Sequence, residues 1–234
     1  NYIGYDAAAM GNHDIEAGHS VYDRWIENCD FPVLGANILT DDGVPYLKPY
    51  IIFERAGIKV AVIGMITQAI PAWLPENLWA GLTFADIEET SRKLIPEIRE
   101  QFNPDIIVGL FHAGVHESII SGFKESIGLE VAQNVPGYDI ILCGHDHTSY
   151  CNKIANIDGD SVLVINPGAG GRQISEITVK VTFSGNSIDK QIVGKLENIA
   201  TLEPDPDYLN YFNEQYNQVK EFVNQPLGVL ASPV

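Results

Sequence analysis

The segment Ile106-Ile107-Val108-Gly109-Leu110-Phe111-His112 governs how the surrounding sequence is read. It is apolar at every position from 106 to 111 except Gly109, which suits a strand covered on both faces and therefore central in its sheet. Outward from it, further strands are expected at 32–38, 49–54, 58–65, 138–143, 161–166, 174–183 and 187–195, with the central one spanning 105–111. Helices are expected at 15–28, 86–100 and 115–134, the second kinked at Pro96 and the third broken near Gly128. This alternation specifies an α/β domain. The runs 174–183 and 187–195, joined through Ser184-Gly185-Asn186, read as a hairpin, and Ile157-Asp158-Gly159-Asp160 marks another turn, so the sheets should be mixed. Beyond Glu203, Pro204 and Pro206 lead into a segment where Leu209, Phe212, Tyr216, Val219 and Val223 recur at helical spacing. That helix either docks on the main core or connects to another domain.

Composition narrows the function. A chain of 234 residues with 45% apolar and 19% charged residues can bury one substantial core. With 31 acidic against 14 basic side chains the net charge is -17, which excludes the basic field that a nucleic-acid polymer or an anionic membrane surface requires. Apolar runs such as 60–66 are strand-sized and fall short of the roughly 20 residues of a membrane helix. The three cysteines, Cys29, Cys143 and Cys151, contain no C-x-x-C pair and indicate neither a disulfide scaffold nor a cysteine zinc site. Any targeting segment ahead of Asn1 is expected to have been removed or to lie outside these residues, and compartment is not readable from the residues themselves.

The six histidines carry the chemical signal. His13 lies in Gly11-Asn12-His13-Asp14, just ahead of a helix. His112 ends the central strand, and His145 and His147 follow the strand at 138–143 through Gly144. These imidazoles emerge at the C-terminal ends of core strands, where open α/β sheets place ligands. In Gly144-His145-Asp146-His147 an extended backbone would project both histidines to one side, with Asp146 pointing away or acting as a hydrogen-bond partner. Imidazoles with amide and carboxylate oxygens suit zinc, manganese or iron, and the absence of cysteine disfavours a structural zinc. His19 and His116 read as structural, Trp73 and Trp79 as a locally packed aromatic loop, Arg172 as a surface residue, and Glu88, Glu89, Glu97 and Glu100 as a solvated helix face.

Taken together, Gly11-Asn12-His13-Asp14, Gly109-Leu110-Phe111-His112-Ala113-Gly114 and Gly144-His145-Asp146-His147 resemble the later motifs of the calcineurin-like dinuclear metallophosphoesterases. The spacings of 99 residues from His13 to His112 and 35 from His112 to His147, with the run Val164-Ile165-Asn166-Pro167-Gly168-Ala169-Gly170-Gly171-Arg172, resemble the branch of 5'-nucleotidases and 2',3'-cyclic-nucleotide phosphodiesterases. The resemblance covers roughly residues 1–196. It implies a four-layer α/β/β/α sandwich of two mixed sheets over 1–197, followed at 198–234 by a linker helix leading to a separate substrate-binding domain. It implies two divalent ions (Mn, Zn or Fe), one held by Asn12, His112 and His145 and the other by His147 with further ligands. His13 paired with Asp14 would form a catalytic dyad, and Asn12 and His13 would also meet the substrate. The implied reaction is hydrolysis of a small nucleotide phosphate ester by metal-bound hydroxide, and a periplasmic or extracellular location is suggested. Oligomeric state is not readable. A sulfur-compound hydrolase of the same fold and a catalytically silent binding domain are the rivals.

One departure stands out. The family's Asp-x-His and Gly-Asp motifs are absent upstream of Gly11, and Asp6 has neither a preceding strand nor a glycine partner. Two carboxylates and a histidine of the usual set, including the bridging Asp, are therefore missing. The sequence reads as N-terminally truncated, and the 234 residues alone are expected to show little activity.

Overall fold

A computed structural model describes residues 1–184 and 187–228, which fall into two units, Asn1–Asn198 and the stretch from Ile199 onward. The first unit opens with strand β1 (Ala8–Ala9) and two helices, α1 (Asn12–Ile15) and α2 (His19–Glu27). Strands β2 (Val33–Leu34), β3 (Ile38–Thr40), β4 (Tyr50–Arg55) and β5 (Ile58–Ile66) follow, then α3 (Ile70–Trp73), β6 (Leu82–Phe84) and α4 (Ile87–Phe102). After β7 (Ile106–His112) come β8 (Ser118–Ile120), β9 (Phe123–Ser126), α5 (Gly128–Asn134), β10 (Ile140–Leu142), β11 (Ser149–Ala155) and β12 (Ser161–Pro167). The unit closes with β13 (Gln173–Ser184) and β14 (Ser187–Asn198). The second unit contains α6 (Pro206–Val223), whose first turn is capped by the Asp205 carboxylate accepting from the Asp207 and Tyr208 N–H groups.

Six strands form the main sheet in the order β11-β12-β10-β7-β5-β4. The inner four are parallel, and β11 and β4 close the two edges antiparallel. β7 lies between β10 and β5, and its side chains alternate as a doubly covered strand requires. Ile107 and Phe111 pack with Ile87, Ile95 and Ile98 of α4 and Val131 and Ala132 of α5. Ile106 and Val108 face the other way, with Leu34 of β2 and Ile192 of β14.

The alternation along β2 defines the remaining layers. Leu34 packs on the main sheet, while Val33 joins Met10, Ile15 and Tyr22 beneath α2. Gly64 permits that approach: a Cβ there would stand 2.2 Å from the Cβ of Leu34. The order is thus α4 and α5, main sheet, a second β layer, then α2. Two separate ribbons make up the second layer, parallel β1–β2 and antiparallel β13–β14.

Several local expectations are revised. The strand expected at 32–38 is split into β2 and β3, and β3 pairs with β6, which the sequence pattern did not signal. Of the helix expected at 15–28 the structure forms α2 from His19 onward: α1 ends at Ile15, and Gly18, with a φ of 73°, is the N-cap of α2. Most of the first half of the helix expected at 115–134 is instead the β8–β9 hairpin. Its turn, Ser121-Gly122, has φ values of 48° and 84°, the left-handed pair that two-residue hairpins favour. β11 was also missed, although the turn at 157–160 that joins it to β12 was not. α4 runs through Pro96 without interruption. The hairpin turn at Gly185-Asn186 lies outside the described residues. Among those described, no helix is long and apolar enough to cross a membrane.

Candidate functional site

The turn entering α1, the end of β7 and the loops after β10 and β12 meet at the C-terminal edge of the parallel strands, the place where such sheets bind ligands. They enclose a cavity of about 330 Å³ lined by Asn12, His13, His112, His145, His147, Gly144 and the Gly168-Ala169-Gly170 loop.

Three of these side chains converge. Asn12 is buried at the start of α1, and its Oδ1 stands 2.8 Å from His112 Nε2 and 3.1 Å from His145 Nδ1. The two rings are 5.2 Å apart at 65°. Burial, reinforced by the neighbouring His145, His13 and His147, lowers the His112 pKa to about 4. The ring is therefore neutral at neutral pH, the form in which imidazole donates a lone pair to a metal. Among the described residues no three His, Cys, Asp or Glu side chains cluster as a metal-ligand group, so the convergence depends on the Asn12 amide.

The segment carrying His145 and His147 is a turn rather than the extended run expected from sequence. β10 stops at Leu142, and both histidines are left-handed, with φ of 70° and 59°. Such backbone is strained in non-glycine residues and persists only where neighbours hold it. Asp146 supplies that hold. Its Oδ2 accepts from the Val115 N–H at 2.7 Å, and its Oδ1 accepts from the Thr148 N–H at 3.0 Å and from the Asn166 side-chain amide at 2.8 Å. Asn166, fully buried, also accepts from the Gly168 N–H, tying this turn to the glycine loop. Gly114 lets the pieces close up, since a Cβ there would lie 2.2 Å from Ser126 Oγ and 2.7 Å from Asp146. The left-handed turn directs His145 inward and leaves His147 exposed in the cavity lining.

His13 does not pair with Asp14. Its Nδ1 lies 2.8 Å from Glu16 Oε1, while Asp14 Oδ2 accepts from the Gly11 N–H at 2.8 Å and closes the turn into α1. Helical geometry accounts for the change, because residues three apart share a face and adjacent ones do not. Glu16, Glu125 and Asn166 were all missed. The spacing of three on a helix would have revealed Glu16, and the Ser121-Gly122 turn would have freed Glu125 from its assigned helix. Asn166 was read only as part of the Val164–Arg172 run, without a role of its own.

The other candidates have structural partners. His19 Nδ1 faces Asp23 and its Nε2 faces the Ala80 carbonyl, and His116 lies edge-on to Tyr150. Trp79 donates to the Leu74 carbonyl, whereas Trp73, packed in the same aromatic loop, also lies 5.3 Å from the His145 ring. Glu88 is tied to Arg92 rather than free on a solvated face, and Arg172 is exposed. Burial pushes the Cys143 thiol far up, so it is an inert core group.

The family model described as "Calcineurin-like phosphoesterase" matches residues 2–149. The chain belongs to the calcineurin-like phosphoesterases. This family works with divalent metal ions. The chain is 32% identical over 158 residues to a 5'-nucleotidase of Vibrio cholerae, covering 66% of this chain and 29% of that protein. It is 24% identical over 257 residues to a 2',3'-cyclic-nucleotide 2'-phosphodiesterase/3'-nucleotidase of Haemophilus influenzae, covering 97% of this chain and 38% of that one. Among solved structures it is similar to the calcineurin-like phosphoesterase YfkN from Bacillus subtilis, with a TM-score of 0.82 and 26% identity over 95% of this chain and 73% of the other. This calcineurin-like phosphoesterase chain thus spans well under half the length of the two curated relatives named.

Proposed function

We propose that this chain contributes the greater part of a metal-dependent active site that hydrolyses small nucleotide phosphate esters, of the 5'-nucleotide or 2',3'-cyclic-nucleotide kind. The observation that carries the reading is the meeting of Asn12 Oδ1, His112 Nε2 and His145 Nδ1 at one point in the cavity wall. One amide oxygen and two imidazole nitrogens form a donor set suited to zinc, manganese or iron, so the residues fit the group. Asn12, His112 and His145 would hold one ion, and His147 would contribute to a second. When bound, two divalent ions supply Lewis acidity toward phosphate oxygens and toward water. They would also bring positive charge to an anionic substrate that the net charge of -17 otherwise opposes.

His13 and Glu16 form the acid of this proposal. With Nδ1 held by Glu16, the imidazole stands in the cavity lining, where a protonated Nε2 would serve a departing alkoxide. Asn12 and His13 would both contact the substrate phosphate. No carboxylate is among the residues lining the cavity, so completion of two metal sites calls on donors other than these. Low turnover by the 234 residues alone therefore belongs to the proposal. So do a connector role for 198–234 toward a substrate-binding domain, and a location outside the cytoplasm.

The test is hydrolysis of 5'-nucleotides, 2',3'-cyclic nucleotides and an aryl phosphodiester with added manganese or zinc, assayed with the chain and with its complete gene product. Metal-dependent release of phosphate or nucleoside by the complete product, lost on His145→Ala, is expected. No hydrolysis of any of these by the metal-loaded complete product would overturn the proposal.

A further inference from the structure

We infer that Glu125 is a positioning residue for His145, fixing which ring nitrogen faces the metal site. The inference rests on the metal-holding role proposed above. Glu125 belongs to β9, and the β8–β9 register places it specially: Ser118 pairs with Ser126 and Ile119 with Lys124, so Glu125 is the extra residue of a β-bulge. A bulge re-aims the side chain it carries, and this one directs the carboxylate at the active-site histidine. Glu125 Oε1 lies 3.2 Å from His145 Nε2, and Glu125 Oε2 accepts from the Ser118 hydroxyl at 3.0 Å. The carboxylate is thereby oriented at both oxygens. Side-chain exposure is 10% for His145 and 27% for Glu125, so the pair is partly buried.

The hairpin itself is anchored beside the site. Gly114 follows β7 by two residues, and its carbonyl accepts from the Ile127 and Gly128 N–H groups just after β9. The His145 ring is thus bounded by Trp73 at 5.3 Å, by His112 at 5.2 Å, by Asn12 at Nδ1 and by Glu125 at Nε2. Its two nitrogens have unequal partners. A proton on Nε2 makes a charge-assisted bond to a carboxylate, whereas one on Nδ1 meets only a neutral amide oxygen. In the neutral ring the proton stays on Nε2, and Nδ1 is the nitrogen left with a lone pair beside Asn12 and His112. Carboxylate partners of this kind fix the tautomer and orientation of a ligating histidine, and their removal costs about 10–100-fold in metal affinity.

The test uses the full chain, with nitrogen-15 NMR of the histidine side chains in metal-free protein and calorimetric titration with zinc alone. In the unsubstituted chain the neutral His145 ring should carry its proton on Nε2. Glu125→Ala should shift it toward the Nδ1–H tautomer and lower zinc affinity about 10–100-fold. Glu125→Asp should restore part of both effects, and circular dichroism should show an unchanged fold. A His145 tautomer unaffected by Glu125→Ala overturns the inference, whatever happens to zinc. Zinc affinity unaffected by His145→Ala would instead overturn the metal reading, while the tautomer measurement would still decide the role of Glu125.

Discussion

The two sides of the cavity are built differently. On one side Asn12, His112 and His145 are buried or nearly so, share one oxygen as a common neighbour, and are backed by Glu125, Asp146, Asn166 and Trp73. On the other, His13 is 75% exposed with Glu16 behind it, and His147 is exposed in the lining. On the reading proposed, the buried side has its ligand geometry set by neighbours before any ion arrives, at the cost of a left-handed backbone at His145. The exposed side keeps its groups accessible to a substrate and to donors from elsewhere. On the same reading, one ion belongs to the buried wall, while the acid His13 and the second ion's ligand His147 stand on the exposed one.

That division can be broken by substitution. The largest effect is expected for His112→Ala, which removes a neutral, preorganised donor: zinc affinity should fall by more than about 100-fold, against about 10-fold or less for His147→Ala. Isothermal titration of both variants checks this, and equal losses would erase the contrast. His13→Asn should reverse the pattern, leaving metal content intact while lowering turnover of the complete gene product by about 10²-fold, the usual scale for losing a positioned acid. Loss of metal in that variant would make His13 a ligand. Glu16→Gln should lower turnover by about 3–10-fold with no change in metal content, because the imidazole keeps a hydrogen-bond partner but loses the charge behind it. Steady-state kinetics beside elemental analysis would show it.

The last of these effects concerns stability. Gly114→Ala forces a methyl group against Ser126 and Asp146, and overpacking of this sort costs about 1–3 kcal/mol. The unfolding midpoint should drop by several degrees. Zinc affinity should fall with it, because the same contact supports the turn that carries His145. An unchanged midpoint would show that the loop yields freely and that the buried side is less tightly held than its geometry indicates.

How much of this was legible in the sequence follows from which interactions are local. The central strand was readable because an apolar run with alternating faces has few alternatives, and His112, His145 and His147 were readable because they stand directly after such runs. The β8–β9 hairpin was obscured because Ser121-Gly122 is a short signal inside a stretch with helical composition, and with it Glu125 was assigned to a helix. The His13 partner was misjudged by adjacency, when helix geometry favours the residue three further on. The inward aim of His145 was legible only as proximity. It depends on Asp146 binding Val115 and Asn166, residues 31 and 20 positions away, and a sequence pattern does not encode such contacts.

The central claim is that Asn12, His112 and His145 define a single metal position, and anomalous diffraction tests it most directly. Crystals of the full chain grown with zinc, measured at the zinc absorption edge, should show a peak about 2.0–2.2 Å from Asn12 Oδ1, His112 Nε2 and His145 Nδ1 together. A peak bonded to His145 through Nε2, or an ion bound elsewhere with these three side chains still in mutual contact, would contradict the account.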